Sequence, residues 1–238
     1  MLIASLDSTA VTASACVAEI NENKLGTYSL FTVKNKLTHS ELLLPLLENA
    51  LKAYGAEVEN IGLFAVSAGP GSFTGVRIGA STVKGLAFAK NTPCVAVSSL
   101  EAIAYNVGRG IICPVMDARR DQFYTALFDG KTRLTEDSAL SFEEIRELLK
   151  DYGEVTICGD GMEKFLSLCG DMGNLFLASY ACADQNALSV ALCGYGKFLN
   201  GEAVTPKELQ PVYLRMPQAE REKLEREKLS PQSRSALH

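Results

Sequence analysis

The chain has 238 residues, with 23 Lys and Arg against 28 Asp and Glu, a formal net charge of −5 and 47% hydrophobic residues. This composition is typical of a soluble globular protein with one large or two small domains, and it excludes disordered, collagen-like and coiled-coil chains. The acidic balance also argues against a chain that binds nucleic acid by itself, because non-specific affinity comes from Lys and Arg side chains that neutralise phosphates.

The sequence gives no sign of export or membrane insertion. Residues 1–10 carry Asp7 and no basic residue, which is unlike a signal peptide. No run approaches the roughly 18 apolar residues that indicate a transmembrane helix, so we expect a cytoplasmic protein with no membrane association. The seven cysteines include no C-x-x-C pair, which favours buried apolar thiols over a disulfide framework or a zinc site.

The first half of the chain predicts an α/β domain. Short buried or alternating apolar runs indicate strands, and longer runs with a period of about 3.6 residues indicate helices. The predicted elements are strands at 2–7, 12–20 and 27–33, a helix at 39–54, a strand at 61–67, a helix at 74–90, a strand at 93–97 and a helix beginning at Ser98.

The same pattern begins again near residue 110. A buried strand at 111–116 leads into Asp117, as the first strand ends at Asp7, and a turn and a returning strand follow in both halves. Further elements are predicted as helices at 141–150, 161–169 and 184–200 and a strand at 155–158. The repeat predicts two related α/β domains, at 1–107 and 108–217. Residues 218–238 contain a direct repeat of Glu-Arg-Glu-Lys-Leu, which predicts a charged, solvated helical tail.

The loop between the strand at 61–67 and the helix at 74–90 is rich in glycine. Gly69 and Gly71 precede a helix whose first backbone N–H groups and dipole could hold an anion, with Arg77 one turn inside the helix. The spacing fits neither a P-loop nor G-x-G-x-x-G. A tight turn that simply requires glycine explains the loop equally well.

Asp7 and Asp117 also allow two interpretations. At the ends of adjacent strands they could coordinate a magnesium–nucleotide complex. They could equally cap turns through their side-chain oxygens, which is common for aspartate after a strand. The two histidines, His39 and His238, cannot build a catalytic triad or a two-histidine metal site in the body of the chain.

Two of the predicted helices carry wide apolar faces. The helix at 39–54 has apolar residues over about 200° of its circumference, whereas a helix on a single sheet needs a stripe of little over about 100°. The helix at 74–90 is rich in glycine and alanine. The two helices either cover each other and a neighbouring domain or form a protein–protein interface, and we favour the interface. The candidate contact residues are Leu42, Leu43, Leu46, Leu47, Val76, Ala80, Val83 and Ala87.

Four motifs together resemble the TsaB (YeaZ-type) family of tRNA threonylcarbamoyladenosine biosynthesis proteins. They are His-Ser-Glu-Leu-Leu-Leu-Pro at 39–45, the glycine loop at 69–79, Asp-Ala-Arg-Arg at 117–120 and Pro-Val-Tyr-Leu-Arg at 211–215. The resemblance covers nearly the whole chain up to Arg215. It implies the fold of the actin, heat-shock chaperone and sugar-kinase superfamily, an actin-like ATPase or ribonuclease H-like duplication with two domains of mixed sheet and flanking helices.

The resemblance further implies a non-catalytic subunit of the t6A tRNA-modification machinery. Its partner would be the transferase TsaD, with the ATPase TsaE joining the assembly, tRNA bound only through the complex, and a homodimer formed when the partner is absent. Active TsaD-type relatives carry His-x-x-x-His on the helix after the glycine loop, where this chain has Ser99 and Ile103. ATP and metal are therefore expected on the partner subunits, and Asp7, Gly69, Gly71, Arg77 and Asp117 would form a vestigial nucleotide or anion site.

The resemblance also bears on nucleotide binding by this chain. The Gly-Asp-Gly turn at 159–161 is only a fragment of the adenosine-binding glycine cluster of the superfamily. The competing hypothesis is an ATP-dependent transferase or kinase that acts by itself through Asp7, Asp117 and the glycine loop. A peptidase is disfavoured, because the residues offer neither a triad nor a metal site.

Overall fold

A computed structural model describes residues 1–35, 39–170 and 173–215, so the predicted tail at 218–238 lies outside the described residues. The first sheet contains β1 (Leu2–Asp7), β2 (Thr12–Asn21), β3 (Lys24–Lys34), β4 (Leu63–Ser67) and β5 (Cys94–Val97). Its strand order is β3-β2-β1-β4-β5. The first three strands pair antiparallel because short turns join them, whereas β4 and β5 run parallel to β1 because helices connect them.

Three helices follow strands of this sheet. They are α1 (His39–Tyr54), α2 (Phe73–Phe88) and α3 (Ser99–Val107), and a short 3₁₀ turn occupies Val58–Asn60. The Ser72 hydroxyl accepts a hydrogen bond from the Gly75 N–H at the start of α2, and Ser98 caps α3 through the N–H of Glu101. The predicted limits of α1 are confirmed, and α2 begins one residue earlier than predicted and ends two residues earlier.

The second sheet repeats the arrangement of the first. Its strands are β6 (Ile111–Asp117), β7 (Gln122–Thr125), β8 (Phe128–Asp129), β9 (Thr132–Arg133), β10 (Ser138–Ser141), β11 (Val155–Cys158) and β12 (Leu175–Leu177). The main order is β10-β7-β6-β11-β12, with β8 pairing β6 and β9. As β1 pairs antiparallel with β2 and parallel with β4, so β6 pairs antiparallel with β7 and parallel with β11.

The remaining helices are α4 (Phe142–Leu149), α5 (Met162–Cys169), α6 (Tyr180–Ala183) and α7 (Ala187–Leu199). Together with the two sheets they confirm the predicted fold class, two similar α/β domains with mixed sheets and flanking helices. None of the helices in the described part of the chain has the length and apolarity needed to cross a bilayer.

The domain limits of 1–107 and 108–217 remain a prediction, and the packing of α7 bears on the second of them. The second sheet begins at Ile111, whereas α7 packs on the first sheet. Val190, Ala191 and Cys193 of α7 pack against Ile3 and Val95 of the first sheet. Cys94 also bridges to Val204, so the chain after α6 returns to the first domain. The first sheet is thus covered on both faces, by α1 and α2 on one side and α7 on the other, which explains why β1 and β4 are buried along nearly their whole length.

The seven cysteines are all free thiols. Cys16, Cys94, Cys113, Cys158 and Cys193 are buried, as predicted, while Cys169 and Cys182 are half-buried. Burial raises the pKa of Cys16 to about 12 and that of Cys94 to about 11. These thiols therefore stay protonated at neutral pH and pack as small apolar side chains.

Candidate functional site

A cleft of about 540 Å³ lies between the two domains. One wall combines the β1–β2 turn at Thr9 with the glycine loop and the first turn of α2, and the other wall is the β6–β7 turn. Residues 212–215 line the cleft as well, and Asp160, just beyond β11, lines it from the second domain. The cleft therefore opens at the carboxyl ends of the strands, where open α/β sheets bind their ligands.

The glycine loop is shaped by close backbone approach. A Cβ atom on Gly69 would lie 2.3 Å from the Val212 carbonyl oxygen, and Gly69 has a φ of 117°. A Cβ atom on Gly71 would lie 2.4 Å from the Thr9 carbonyl oxygen. The Ser72 N–H also donates to that oxygen, at 2.6 Å. Of the two interpretations of this loop, the tight turn that requires glycine accounts for both residues.

Asp7 and Asp117 both cap the turn that follows their strand. The Asp7 side chain is buried and accepts hydrogen bonds from the Thr9 N–H at 2.9 Å and the Thr9 hydroxyl at 2.7 Å. Asp117 accepts from the Arg119 N–H at 2.8 Å and forms an ion pair with Lys164 at 3.0 Å. Aspartate turn caps explain both positions, although only Asp117 is among the residues that line the cleft.

Arg77 lies in an aromatic stack. Its guanidinium carbon is 3.9 Å from the centre of the Phe73 ring, and its Nε donates to the Tyr213 hydroxyl at 3.0 Å. The Phe73 and Tyr213 rings are themselves 4.7 Å apart. The stack accounts for the Arg77 guanidinium, and the arginines lining the cleft are Arg119, Arg120 and Arg215. An anion contact by Arg77 stays a prediction.

Residues 211–215 run as a strap between the two domains. The Val212 N–H donates to the Ala68 carbonyl at 2.8 Å in the first domain. Arg215 Nη1 donates to the Ala118 carbonyl at 2.8 Å in the second. The strap therefore holds the glycine loop and the β6–β7 turn at a set separation. The sequence resemblance identified residues 211–215 only as a motif and did not indicate this role.

Asp160 is a cleft residue that the sequence analysis did not select. Its Oδ1 is buried and has no hydrogen-bond partner among the residues that the structure describes. Burial raises the pKa of Asp160 to about 6, with further contributions from Asp117 and Asp184. The signal was present as the Gly-Asp-Gly turn at 159–161. A Cβ on Gly159 would lie 2.3 Å from the Val115 carbonyl, which pins the turn against β6.

The predicted contact residues on α1 and α2 are mostly core residues. Leu42 is half-buried, and the other seven are buried within this chain, namely Leu43, Leu46, Leu47, Val76, Ala80, Val83 and Ala87. Helix α1 packs on β2 and β3 and also against α2, and these contacts together cover its wide apolar face. An interface formed by these helices remains a prediction, and it would use their outer faces.

Helix α3 holds Ser99 and Ile103, the two positions at which the sequence resemblance places the histidines of TsaD-type relatives. The Ser99 hydroxyl is buried and accepts a hydrogen bond from the Ser67 hydroxyl at 2.9 Å. Ile103 is buried in the core of the second domain. Neither residue is among those that line the interdomain cleft, and neither a hydrogen-bonded serine hydroxyl nor an isoleucine is a typical metal ligand.

The two domains, the repeated sheet topology and the cleft between them define a duplicated α/β protein. The solved structure of YeaZ from Pseudomonas aeruginosa has the same fold, with a TM-score of 0.77 and 24% identity over 90% of this chain and 99% of that one. Residues 34–157 match the family model described as TsaD: tRNA N6-adenosine threonylcarbamoyltransferase.

Sequence relatives narrow the class to a family. The chain is 33% identical over 203 residues to the tRNA threonylcarbamoyladenosine biosynthesis protein TsaB of Bacillus subtilis strain 168, covering 81% of this chain and 86% of that protein. It is 29% identical over 189 residues to the protein of the same name from Escherichia coli K12, covering 74% and 80%. The chain therefore belongs to the TsaB family.

Proposed function

We propose that this chain acts in the biosynthesis of threonylcarbamoyladenosine in tRNA, as the subunit that binds and activates a TsaD-type transferase. The observation that carries the proposal is the similarity to TsaB proteins over 81% of the chain. The match of residues 34–157 to the transferase model supports the partnership, because a chain related to the transferase can pair with it through equivalent helices.

The side chains support a role without chemistry of its own. Asp7 and Asp117 are engaged as turn caps. Ser99 and Ile103, which the sequence resemblance places at the metal-binding positions of the transferase relatives, are buried. We infer that ATP and metal bind to the partner subunits, that TsaE joins the assembly, and that tRNA is bound in the cytoplasm only by the complex. The net charge of −5 agrees with a chain that needs partners to hold tRNA.

The outer faces of α1 and α2 are the surface that we assign to the transferase. Leu44 on α1 is 44% exposed and Phe88 on α2 is 63% exposed. Gly85 lies on the exposed side of α2, and a Cβ at this position would have nothing within 4 Å. A mid-helix glycine costs about 1 kcal/mol relative to alanine, and packing inside this chain does not require it. A second helix that approaches closely would explain it, whether that helix belongs to the transferase or to a second copy of this chain.

Gly85→Glu tests the interface without disturbing the fold. The new side chain has space in the isolated chain, but it would place an unpaired charge in an apolar contact, which costs several kcal/mol. We expect at least about a 100-fold loss of affinity for the transferase. Gly196→Glu is the matched control, because Gly196 is also helical and a Cβ at this position would have nothing within 4 Å.

The readouts are co-purification with the transferase and the level of threonylcarbamoyladenosine in tRNA from cells whose own TsaB is depleted. Wild type and Gly196→Glu should restore the modified nucleoside, and Gly85→Glu should not. If wild type restores nothing, the proposed function is wrong. If Gly85→Glu binds and restores as wild type does, only the assigned surface is wrong. Turnover of magnesium-ATP by the isolated chain would favour an independent transferase or kinase instead.

A further inference from the structure

Three carboxylates lie near one another where the cleft meets the second domain, and only two of them have a cation. Asp117 forms an ion pair with Lys164 at 3.0 Å, and Asp184 forms one with Lys34 at 2.7 Å. Asp160 forms no ion pair within residues 1–35, 39–170 and 173–215, and its Oδ1 is buried without a hydrogen-bond donor. Lys164 and Lys34 therefore pair with Asp117 and Asp184, and neither forms an ion pair with Asp160.

The unpartnered oxygen of Asp160 has a defined position. Asp160 lies between Gly159, which is pinned against the Val115 carbonyl, and Gly161, whose N–H donates to the same carbonyl at 3.0 Å. The turn is thus rigid, and Asp160 lines the cleft. A buried carboxylate oxygen without a donor is costly unless something pairs with it. A ligand that brings an ammonium group would supply a donor and a positive charge to this carboxylate.

The walls of the cleft that face Asp160 favour a negatively charged group. Helix α2 begins there, with its N-terminal backbone groups and the hydroxyls of Ser72 and Thr74. Arg119 and Arg120 line the cleft from the β6–β7 turn, where left-handed backbone conformations with φ of 61° and 53° present them at its rim. Among the described residues, neither arginine side chain forms an ion pair with an acid. A carboxylate would be stabilised on this side of the cleft.

We propose that the interdomain cleft binds a small zwitterionic amino compound of the free α-amino-acid class, with its ammonium group on Asp160 and its carboxylate toward Arg119, Arg120 and the start of α2. The volume of about 540 Å³ leaves room for a side chain beyond the two charged groups. This site is separate from the outer faces of α1 and α2. Binding of an amino acid in the cleft can therefore be tested independently of the proposed association with the transferase.

The test is calorimetry and NMR titration of the full chain with the twenty free amino acids, each up to about 10 mM, a range that detects even weak sites. Ethylamine and propionate serve as matched halves of alanine, since each keeps one of its two charged groups. We expect at least one amino acid to bind with a stoichiometry of one and to shift cleft resonances. Ethylamine and propionate should each bind at least about tenfold more weakly than alanine, or not at all.

Variants then locate the site. Asp160→Asn should weaken binding at least about 30-fold, because it removes the charge that pairs with the ammonium. Asp129→Asn, an exposed acid on β8 away from the cleft, should bind as wild type does. Arg120→Gln should weaken binding of the amino acid while leaving circular dichroism and the unfolding midpoint unchanged.

Three results would overturn the proposal. They are no binding by any amino acid, equal binding by the Asp160→Asn variant, and tight binding of magnesium-ATP that shifts the cleft resonances while the amino acids leave them unchanged. The last result would assign the cleft to a nucleotide. None of the three bears on association with the transferase, so failure here is distinguishable from failure of the proposed function.

Discussion

Replacing Asp160 by Asn is expected to stabilise the ligand-free chain at neutral pH. Burial raises the pKa of Asp160 from its ordinary value of 3.8 to about 6, and Asp117 and Asp184 add to the effect. Each pKa unit corresponds to about 1.4 kcal/mol, so holding the carboxyl ionised in the folded chain costs up to about 3 kcal/mol. This value is an upper limit, because the residue as a whole is half-buried and the amide that replaces it remains desolvated.

The sign of the pH dependence follows from the same shift. Because the folded chain binds the Asp160 proton more tightly than the unfolded chain, ionisation destabilises the fold. The free energy of unfolding of the wild type should therefore fall, relative to that of Asp160→Asn, as pH rises from about 4 to about 6, and the difference should stay constant above that. Taking the difference between the two proteins removes the titration of the other acids.

The assay is urea unfolding followed by circular dichroism across this pH range, with Asp129→Asn as the control acid on the surface. If thermal unfolding is used instead of urea, a gain of 1 kcal/mol corresponds to an increase of roughly 2–4 °C in the melting temperature for a chain of this size. Parallel pH curves for wild type and Asp160→Asn, or a loss of stability in the variant at neutral pH, would refute the argument that the Asp160 carboxylate is buried and unpaired.

Two other predictions concern the core and the strap. Leu47→Ala should lower the free energy of unfolding by about 2–5 kcal/mol, since Leu47 is 2% exposed, whereas Leu44→Ala, one turn away at 44% exposure, should change it by less than about 0.5 kcal/mol. Urea unfolding of both variants checks this, and equal effects would contradict the packing of α1. Arg215→Ala should remove the hydrogen bond to the Ala118 carbonyl and cost about 1.5–3 kcal/mol. Hydrogen exchange should then be faster in the glycine loop and the β6–β7 turn, and unchanged exchange would show that the strap does not hold the two domains.

Local patterns were enough to predict most of the regular structure. The limits of α1 and of β11 were confirmed at both ends, because an uninterrupted apolar periodicity bounded by turn residues is a property of the segment itself. The repeat of a buried strand, an aspartate and a returning strand was equally visible at Asp7 and Asp117. From that repeat the pairing of two related α/β domains could be predicted.

Short elements could not be predicted in this way. Strands β8, β9 and β12 have two or three residues each, and helix α6 has four. Segments of this length have no periodicity to detect, and their conformation depends on the strand or helix that they pack against. The return of α7 to the first sheet was missed for a related reason, since an apolar helix does not encode which of two similar sheets it will cover.

The amino-acid sequence by itself determined the elements, the duplicated α/β class and the family, because these depend on local periodicity and on motifs that stay together along the chain. Only the tertiary structure decided which apolar residues of α1 and α2 are core and which are surface, because that depends on what lies against each side of the helix. It also decided that Asp160 has a buried side-chain oxygen without a hydrogen-bond partner. The acids that raise its pKa, Asp117 and Asp184, come from segments that are distant in sequence.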